Sequence, residues 1–463
     1  MIWQLINILC GSCYYAILCI SLFILYLFCL TKRSNHRCRY AIFHPYCSAG
    51  GGGERVLWMF VRHLCDNYRR QGGDDKIVIF TGDVDVSPEE IVHKVRDTFR
   101  MEISLDDIDF IYLRSRFMVE AKWYPFCTLL FQSLGSIIVG VEALMRKAPD
   151  VYIDTMGYSF TYPLFKFIGR CRVISYTHYP TISCDMLSLV TSRENSFNNR
   201  RFIANSQTLT NLKYCYYQLF SKLYGFTGRQ SHLVMVNSSW TKGHIENIWR
   251  HPNLELLYAP CDFPAFKTLP LSGRKLYHVV SIAQFRPEKN HLLQAHVYAS
   301  FLQRLEPELR SESKMYFVGS CRDSADEKRV DELKDACELM NISDKVEFKV
   351  NVSFNELLQI VSQCNIGLHT MKNEHFGISV VEMIAGGLVV IAHNSGGPKL
   401  DIIKDENGFL ASSDEEYVEH MMRIVSKSEE ELDQMRTSNR AAMNRFGDEV
   451  FMERLSEIFP IID

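Results

Sequence analysis

Residues 364–392, with the sequence CNIGLHTMKNEHFGISVVEMIAGGLVVIA, decide the fold of this chain. Residues 364–369 and 388–392 are short and apolar, as strands of a buried sheet are. Between them, the apolar residues that follow Gly377 recur at helical spacing. The segment therefore predicts a strand, a loop, a helix and a second strand, which is the repeating unit of a parallel α/β sheet.

Two carboxylates mark this loop and helix. Glu374 lies on the loop, and Glu382 follows eight positions later inside the helix. A helix N-terminus offers free backbone N–H groups and about half a positive charge, which suits a phosphate. A helical carboxylate can accept two hydrogen bonds from a vicinal diol such as a ribose. The pattern predicts a nucleotide-sugar pocket, with Phe376, Gly377 and Ile378 at the phosphate. An acidic loop followed by a solvated glutamate is the alternative that the spacing alone allows.

Length and composition limit the classes of protein. The 463 residues are enough for two or three domains, and a net charge of −3 gives no basic field for nucleic acid. Fifteen cysteines are scattered without paired metal spacing, which indicates reduced thiols on the cytosolic side of a membrane. We see no Asp-x-Asp or histidine cluster that must bind a metal, so we expect no metal.

The N-terminus reads as a membrane anchor. No charged residue occurs from Met1 to Leu30, a stretch longer than the roughly 20 residues that cross a bilayer. Basic residues follow at once, beginning with Lys32 and Arg33, and such residues favour the cytoplasmic flank. We predict a transmembrane anchor over 1–31, with the rest of the chain in the cytosol. An apolar leader without a set orientation is the alternative.

A first Rossmann-like domain is predicted over 39–258. Apolar strands alternate with helical stretches, as in a doubly wound parallel sheet. Gly51, Gly52 and Gly53 follow the first strand and open a helix, so that backbone could approach a diphosphate closely. A flexible turn is the alternative, and the missing Gly-Lys-Ser/Thr of a P-loop argues against an ATPase.

Two further stretches of this domain suit a membrane surface. Residues 123–145 are long and apolar but include a proline, two glycines and Glu142, which favours a half-immersed or protein-packed helix. Residues 214–224 combine tyrosines with nearby lysines, as helices at the lipid headgroup layer do. An ordinary core helix with tyrosine edges explains the second stretch nearly as well.

A second Rossmann-like domain is predicted over 270–440. Arg286 and Lys289 follow its first strand, where cations can neutralise a diphosphate leaving group, although a solvated surface pair fits as well. His178 ends a strand of the first domain, and ligands of α/β proteins bind at the carboxyl ends of strands. A lone histidine at such a position is more often structural.

Together these motifs resemble the retaining family-4 glycosyltransferases over residues 40–458. The resemblance implies the GT-B fold, with two Rossmann-like domains facing a cleft and a C-terminal helix, 441–463, that crosses back to the first domain. It implies that Glu374 and His178 contact the donor sugar, that Glu382 binds the ribose, and that Lys289 binds the diphosphate. Relatives carry arginine where Gln284 stands here, so the part of Arg286, two positions later, is open.

The anchor, the segment Gly50–Arg55 and the sequence His178–Ser183 resemble the dolichol-pathway branch of this family. That branch implies GDP-mannose as donor, a dolichol-diphosphate oligosaccharide as acceptor, and α-1,2-linked fourth and fifth mannoses. It also implies the cytosolic face of the endoplasmic reticulum membrane, with other mannosyltransferases of the pathway as partners. Another lipid-linked glycosyltransferase, a two-carboxylate glycosidase and a binding-only scaffold are the alternatives.

Overall fold

The computed structural model describes residues 21–32, 36–69, 72–73, 75–183, 186, 207–261, 263–404 and 407–459. Most of the predicted anchor, residues 1–20, lies outside the described residues, as do 460–463 at the other terminus. Ser21–Leu30 forms an apolar helix just before the first domain.

The first domain is built on one parallel sheet. Its seven strands lie in the order β3-β2-β1-β4-β5-β6-β7, with helices as crossovers, which confirms the predicted doubly wound architecture. The elements are β1 Arg37–Phe43, α1 Gly52–Leu64, β2 Ile77–Thr81, α2 Pro88–Phe99, β3 Ile108–Tyr112, α3 Thr128–Arg146, β4 Ala148–Asp154, β5 Arg172–Thr177, α4 Gln207–Gly228, β6 Leu233–Val236, α5 Ser239–Trp249 and β7 Leu254–Leu256.

The second domain repeats this plan with six parallel strands in the order β10-β9-β8-β11-β12-β13. The two facing Rossmann-like units confirm the predicted GT-B fold. The elements are β8 Lys275–Ile282, α6 His291–Arg304, β9 Lys314–Gly319, α7 Ser324–Leu339, β10 Val346–Val350, α8 Phe354–Gln363, β11 Cys364–His369, α9 Ile378–Ala385, β12 Val389–His393, β13 Phe409–Ala411, α10 Asp414–Val425, α11 Glu429–Ala442 and α12 Asp448–Ile458.

The last helix, α12, packs on the first domain although it follows the second in sequence. Phe451 and Leu455 are buried in the core that α1 also fills, where Phe451 meets Phe60 edge to face. Arg55 of α1 forms an ion pair with Asp448 at the start of α12. The chain therefore crosses between the domains twice, once before β8 and once before α12.

Helix α3 has one protein-packed face and one exposed face. The Glu142 carboxylate accepts hydrogen bonds from the backbone N–H groups of Arg114 and Ser115, at 3.0 and 2.9 Å. On the other side, Phe131 and Ile138 are 45% and 48% exposed. By length and composition α3 could cross a bilayer. An apolar face this exposed, beside a satisfied internal carboxylate, suits a helix half immersed in lipid.

Candidate functional site

The glycine loop before α1 and the first turn of α9 meet across the cleft between the domains. A Cβ on Gly52 would lie 2.6 Å from Cδ1 of Ile378, so a side chain there requires Ile378 to move. A Cβ on Gly53 would lie 3.6 Å from Nε2 of His178. The structure thus brings four predicted site residues together, and the two domains share one cleft.

Helix α9 begins where the sequence predicted a phosphate seat. Gly377 precedes it at φ 105°, a backbone conformation that side chains other than hydrogen rarely adopt. In its first turn, the N–H groups of Val380 and Val381 bond to the carbonyl of Gly377 at 3.0 and 3.2 Å, which leaves those of Ile378 and Ser379 without an acceptor within the helix. Glu382 is half-buried and is the fifth residue of the helix, just over one turn from this end.

Phe376, which was predicted to lie at the phosphate, has a buried side chain. Its side chain is 2% exposed and packs against Tyr258, at 5.8 Å between ring centroids, and against Phe446, at 5.3 Å. The ring therefore packs in the core beneath the loop, and the backbone of Phe376 is the part that a ligand could contact.

A buried ion pair joins two of the predicted residues. Oε2 of Glu374 lies 2.5 Å from Nζ of Lys289 and 3.2 Å from Nε2 of His369. Burial alone would raise the pKa of Glu374, but the hydrogen bond from His369 and the charge of Lys289 outweigh it and hold the pKa below its usual range. Glu374 is therefore ionised at neutral pH and is unsuited to the general-acid step of a glycosidase.

His369 was not predicted, although it ends β11 and so occupies a position typical of site residues. The next residue, Thr370, donates a hydrogen bond to the carbonyl of Lys289 at 3.0 Å and accepts one from Gln294 at 2.9 Å. These bonds fix the backbone that carries Lys289 against the end of β11. The geometry of the ion pair thus depends on three segments that are distant in sequence.

Arg286 lies apart from this ion pair. Its guanidinium is 3.8 Å from Glu288, and a third of its side chain is exposed. A second arginine, Arg322, follows β9 and was also missed. Burial and the charge of Arg286 lower the pKa of Arg322, whereas Glu54 of the first domain raises it. Two cations therefore lie near each other at the ends of β8 and β9, on the cleft side.

On the first-domain wall, His178 is held in one orientation. Its Nε2 donates to the carbonyl of Thr155 at 3.0 Å, and the Thr155 hydroxyl bonds to Nδ1 of His44 at 2.7 Å. Burial lowers the pKa of His178 to about 4, and the charge of His44 adds to that effect. His178 is therefore neutral at pH 7, and its Nδ1 is left as an acceptor for a hydroxyl group.

The glycine loop is fixed from the same side. Oε2 of Glu54 accepts the N–H of Gly51 at 2.5 Å, and Oε1 lies 3.6 Å from Nε2 of His44. The amide of Gly51 is therefore already occupied. Glu54 and His44 were not singled out from the sequence. The bond between Gly51 and Glu54 is a local capping contact, whereas the contact of His44 with Thr155 joins residues 111 positions apart.

An aromatic stack also connects the two walls. The ring of His375, next to Glu374, lies between Tyr179 and Trp240 of the first domain, at centroid distances of 5.1 and 5.2 Å. Nearby, Asp401 of the second domain accepts the N–H of Ser239 at 2.9 Å, which caps α5. The relative position of the walls is thus determined by specific contacts.

No group of three or more potential metal ligands was found among the described residues. Asp83 and Asp85 have the Asp-x-Asp spacing of some metal sites. Asp83, however, pairs with Arg116 and accepts the N–H of Ser48 at 2.9 Å. The absence of a metal remains an expectation.

Comparison with known proteins gives the family. The model described as ALG11 mannosyltransferase N-terminus matches residues 37–249, and the model described as glycosyl transferases group 1 matches residues 269–442. The protein of Mus musculus named GDP-Man:Man(3)GlcNAc(2)-PP-Dol alpha-1,2-mannosyltransferase is 47% identical over 91% of this chain and 86% of its own length. The protein of the same name from Dictyostelium discoideum is 43% identical over 94% and 86%.

Solved structures agree in fold at low sequence identity. HepE of Anabaena, solved with UDP and glucose, has a TM-score of 0.59 at 13% identity and covers 92% of this chain and 100% of its own. Sucrose-phosphate synthase of Thermosynechococcus elongatus has a TM-score of 0.63 at 16% identity, and the match covers 91% of this chain and 98% of the synthase. Taken with the family models and the relatives, this fold leads to one conclusion: the chain belongs to the ALG11 mannosyltransferase family of group 1 glycosyl transferases.

Proposed function

We propose that this chain is a retaining mannosyltransferase that uses GDP-mannose and extends Man3GlcNAc2-diphosphate-dolichol through α-1,2 links. The donor, acceptor and linkage are those in the names of relatives 47% identical over 91% of the chain. We assign it the fourth and fifth mannoses of the oligosaccharide. The observation that carries the proposal is the cleft in which Gly52 meets the tip of α9, beside the Glu374–Lys289 pair.

The donor diphosphate belongs at the N-terminus of α9. The helix end and the ammonium group of Lys289 would stabilise the negative charge that the departing GDP acquires as the sugar bond breaks. Arg286 contributes a further cation from the end of β8. Glu382 would accept hydrogen bonds from the two ribose hydroxyls, which adds binding energy away from the reacting bond.

The mannose ring then lies between the two walls. Glu374 orients the sugar and holds Lys289 in place, while Nδ1 of His178 accepts a hydrogen bond from a sugar hydroxyl. The acceptor hydroxyl attacks the anomeric carbon on the face that the diphosphate leaves, so the configuration is retained without an enzyme nucleophile. The departing phosphate oxygen takes the proton of that hydroxyl. The step needs no metal.

The proposed location is the cytosolic face of the endoplasmic reticulum membrane, with residues 1–31 as the anchor. The sequons at Asn237, Asn341 and Asn351 should then carry no glycan. Asn237 is buried and accepts a hydrogen bond from Thr241, so a glycan there would also oppose folding. A mass shift on endoglycosidase treatment of the full chain would contradict this topology. Co-purification with other mannosyltransferases of the pathway tests the proposed partnership.

The direct test is an incubation of the detergent-solubilised chain with short lipid-diphosphate oligosaccharides. GDP-mannose and a set of UDP-sugars serve as competing donors, and products are sized after each. We expect two mannose additions from GDP-mannose alone. The matched control is Glu374→Gln, which keeps the shape of the side chain and should lose turnover by a factor of about 10² or more, with less effect on GDP affinity.

Three outcomes would count against the proposal. Turnover with a UDP-sugar, or transfer in another linkage, would favour a different lipid-linked transferase. Nucleotide binding without turnover would favour a binding-only scaffold. Equal losses of GDP affinity and rate in Glu374→Gln would remove Glu374 from the chemistry.

A further inference from the structure

A second concave site lies on the first domain, away from the cleft. A cavity of about 510 Å³ opens between the C-terminal parts of α4 and α5. Its lining includes three cations, Lys222, Arg229 and Arg250, and no Asp or Glu. Helix α5 starts at the cleft with Ser239, and a rise of about 1.5 Å per residue puts the cavity roughly 16 Å from that end.

The three positive charges of this cavity lack carboxylate partners among the residues that the structure describes. Nε of Arg229 donates to the carbonyl of Trp249 at 2.5 Å, which fixes the guanidinium in the cavity wall. None of the three cations forms an ion pair with a carboxylate in the part of the chain that the structure describes. Like charges gathered in one cavity repel one another, so an anion bound there would stabilise the arrangement.

The cavity adjoins an exposed apolar stripe on α4. Leu212, Leu219, Leu223 and Phe226 recur at helical spacing and so share one face of the helix. They are 66%, 60%, 39% and 60% exposed. Phe226 also lines the cavity. A free phosphate ion would make no contact with this apolar stripe. A phospholipid combines an anionic headgroup, which suits the cavity, with apolar chains that would cover the stripe.

We propose that this cavity binds the phosphate headgroup of an anionic phospholipid of the bilayer, with the acyl chains along the exposed face of α4. The bound lipid sets the orientation of the first domain on the membrane, beside the exposed face of α3. The proposal goes beyond the transferase activity and does not rest on it, because the cavity contains none of the residues assigned to the donor.

Lipid binding to the detergent-purified full chain tests this site. Phosphatidylinositol and the zwitterionic phosphatidylcholine are titrated separately, and bound lipids are counted by native mass spectrometry. We expect the intact chain to prefer phosphatidylinositol. Lys222→Gln combined with Arg250→Gln should weaken its binding about 30-fold, since each surface cation contributes about one kilocalorie per mole to anionic lipid binding. Both side chains are exposed, so the fold should persist, which unchanged thermal unfolding would verify.

The control variant is Lys328→Gln with Lys334→Gln, which removes the same charge from the exposed surface of α7. It should bind phosphatidylinositol like the intact chain. Equal losses in the two double variants, or no loss in either, would overturn the site. Inorganic phosphate and a polyisoprenyl diphosphate are added as competitors. If either competitor displaces bound phosphatidylinositol at a lower concentration than added phosphatidylinositol does, the assignment to a bilayer phospholipid is wrong.

Discussion

The two walls of the cleft use different means to form one site. The second-domain wall is charged, and its charges are paired in advance: Glu374 holds Lys289 and is itself bonded by His369. On the first-domain wall, His178 is neutral at pH 7 and Glu54 is bonded to the amide of Gly51, so this wall depends on close approach, with Gly52 against Ile378. In the proposed mechanism, the second-domain wall stabilises the charge of the departing diphosphate, whereas the first-domain wall supplies shape and oriented hydrogen-bonding groups.

This difference predicts that substitutions on the charged wall have the larger effects. Lys289→Met should lower kcat by about 10³ or more, because it removes the cation proposed to lie nearest the diphosphate and leaves the buried carboxylate of Glu374 without its ion pair. Transfer of labelled mannose measures kcat, and calorimetry with GDP measures binding. Thermal unfolding should also occur at a lower temperature.

Glu288→Ala is the matched control for that experiment. Glu288 is next in sequence, but within the described ranges its carboxylate forms one ion pair, with Arg286 at 3.8 Å, and its side chain is 37% exposed. Its kcat should stay close to that of the intact chain. If Lys289→Met kept kcat within about threefold of the intact chain, Lys289 would not face the leaving group.

The sequence predicted the scaffold of both walls because that scaffold is periodic and local. Alternating strands and helices, the glycines before α1 and the carboxylate before α9 all leave signals within a few residues. Their long-range partners leave none. Lys289 meets Glu374 from 85 positions away, and His44 meets Thr155 from 111, only after the strand ends have been brought together. His369 and Glu54 lie five and three positions from Glu374 and Gly51, so these two were missed although their contacts are local. A side chain that serves another side chain is not visible in spacing.

Phe376 shows a limit of another kind. The sequence predicted it at the donor phosphate as part of the helix terminus, and the structure buries its ring against Phe446 just before α12, so that prediction concerns its backbone. Motif membership places the backbone of a residue and leaves the direction of its side chain undetermined.

A smaller effect is expected at the far end of the charged wall. Glu382→Gln should raise the KM for GDP-mannose about tenfold or more and change kcat little, because a charged acceptor of ribose hydrogen bonds is lost in ground and transition state alike. Initial rates at varied donor concentration measure the change. The 2′-deoxyribose analogue of the donor is the control: it should bind the intact chain more weakly and the variant with no further loss. An unchanged KM would contradict the ribose role.

The first-domain wall should respond to an increase in side-chain volume. Gly52→Ala places a methyl group 2.6 Å from Cδ1 of Ile378 and should lower kcat/KM up to about tenfold, since the flexible end of Ile378 can move partly aside. Gly243→Ala, a position in α5 with no atom near the added methyl group, is the control and should be neutral. Combining Gly52→Ala with Ile378→Val removes the clashing atom. If this double variant failed to restore activity, the two walls would not approach each other during turnover.

The smallest expected effect concerns pH. The folded chain holds the pKa of His178 at about 4 instead of 6.5, because burial disfavours the charged ring. Between pH 4 and pH 6.5 this histidine binds more protons in the unfolded chain than in the folded one. The part of the unfolding free energy that depends on the neutral ring is therefore fully present above about pH 6.5 and is lost as the pH falls toward 4. His178→Asn should therefore reduce the slope of the unfolding free energy against pH in this window, by the equivalent of at most about one bound proton.

Urea unfolding at a series of pH values measures this slope. Other buried histidines whose pKa is also lowered, such as His63 and His291, remain in the variant and set the background. His296→Asn, an exposed position on α6, changes one histidine without touching the cleft and should keep the slope of the intact chain. Parallel stability curves for His178→Asn and the intact chain would show that His178 is protonated as readily in the folded state as in the unfolded one. His178 would then be charged at mildly acidic pH, and the contrast between the ion pair on one wall and a neutral histidine on the other would hold only above that range.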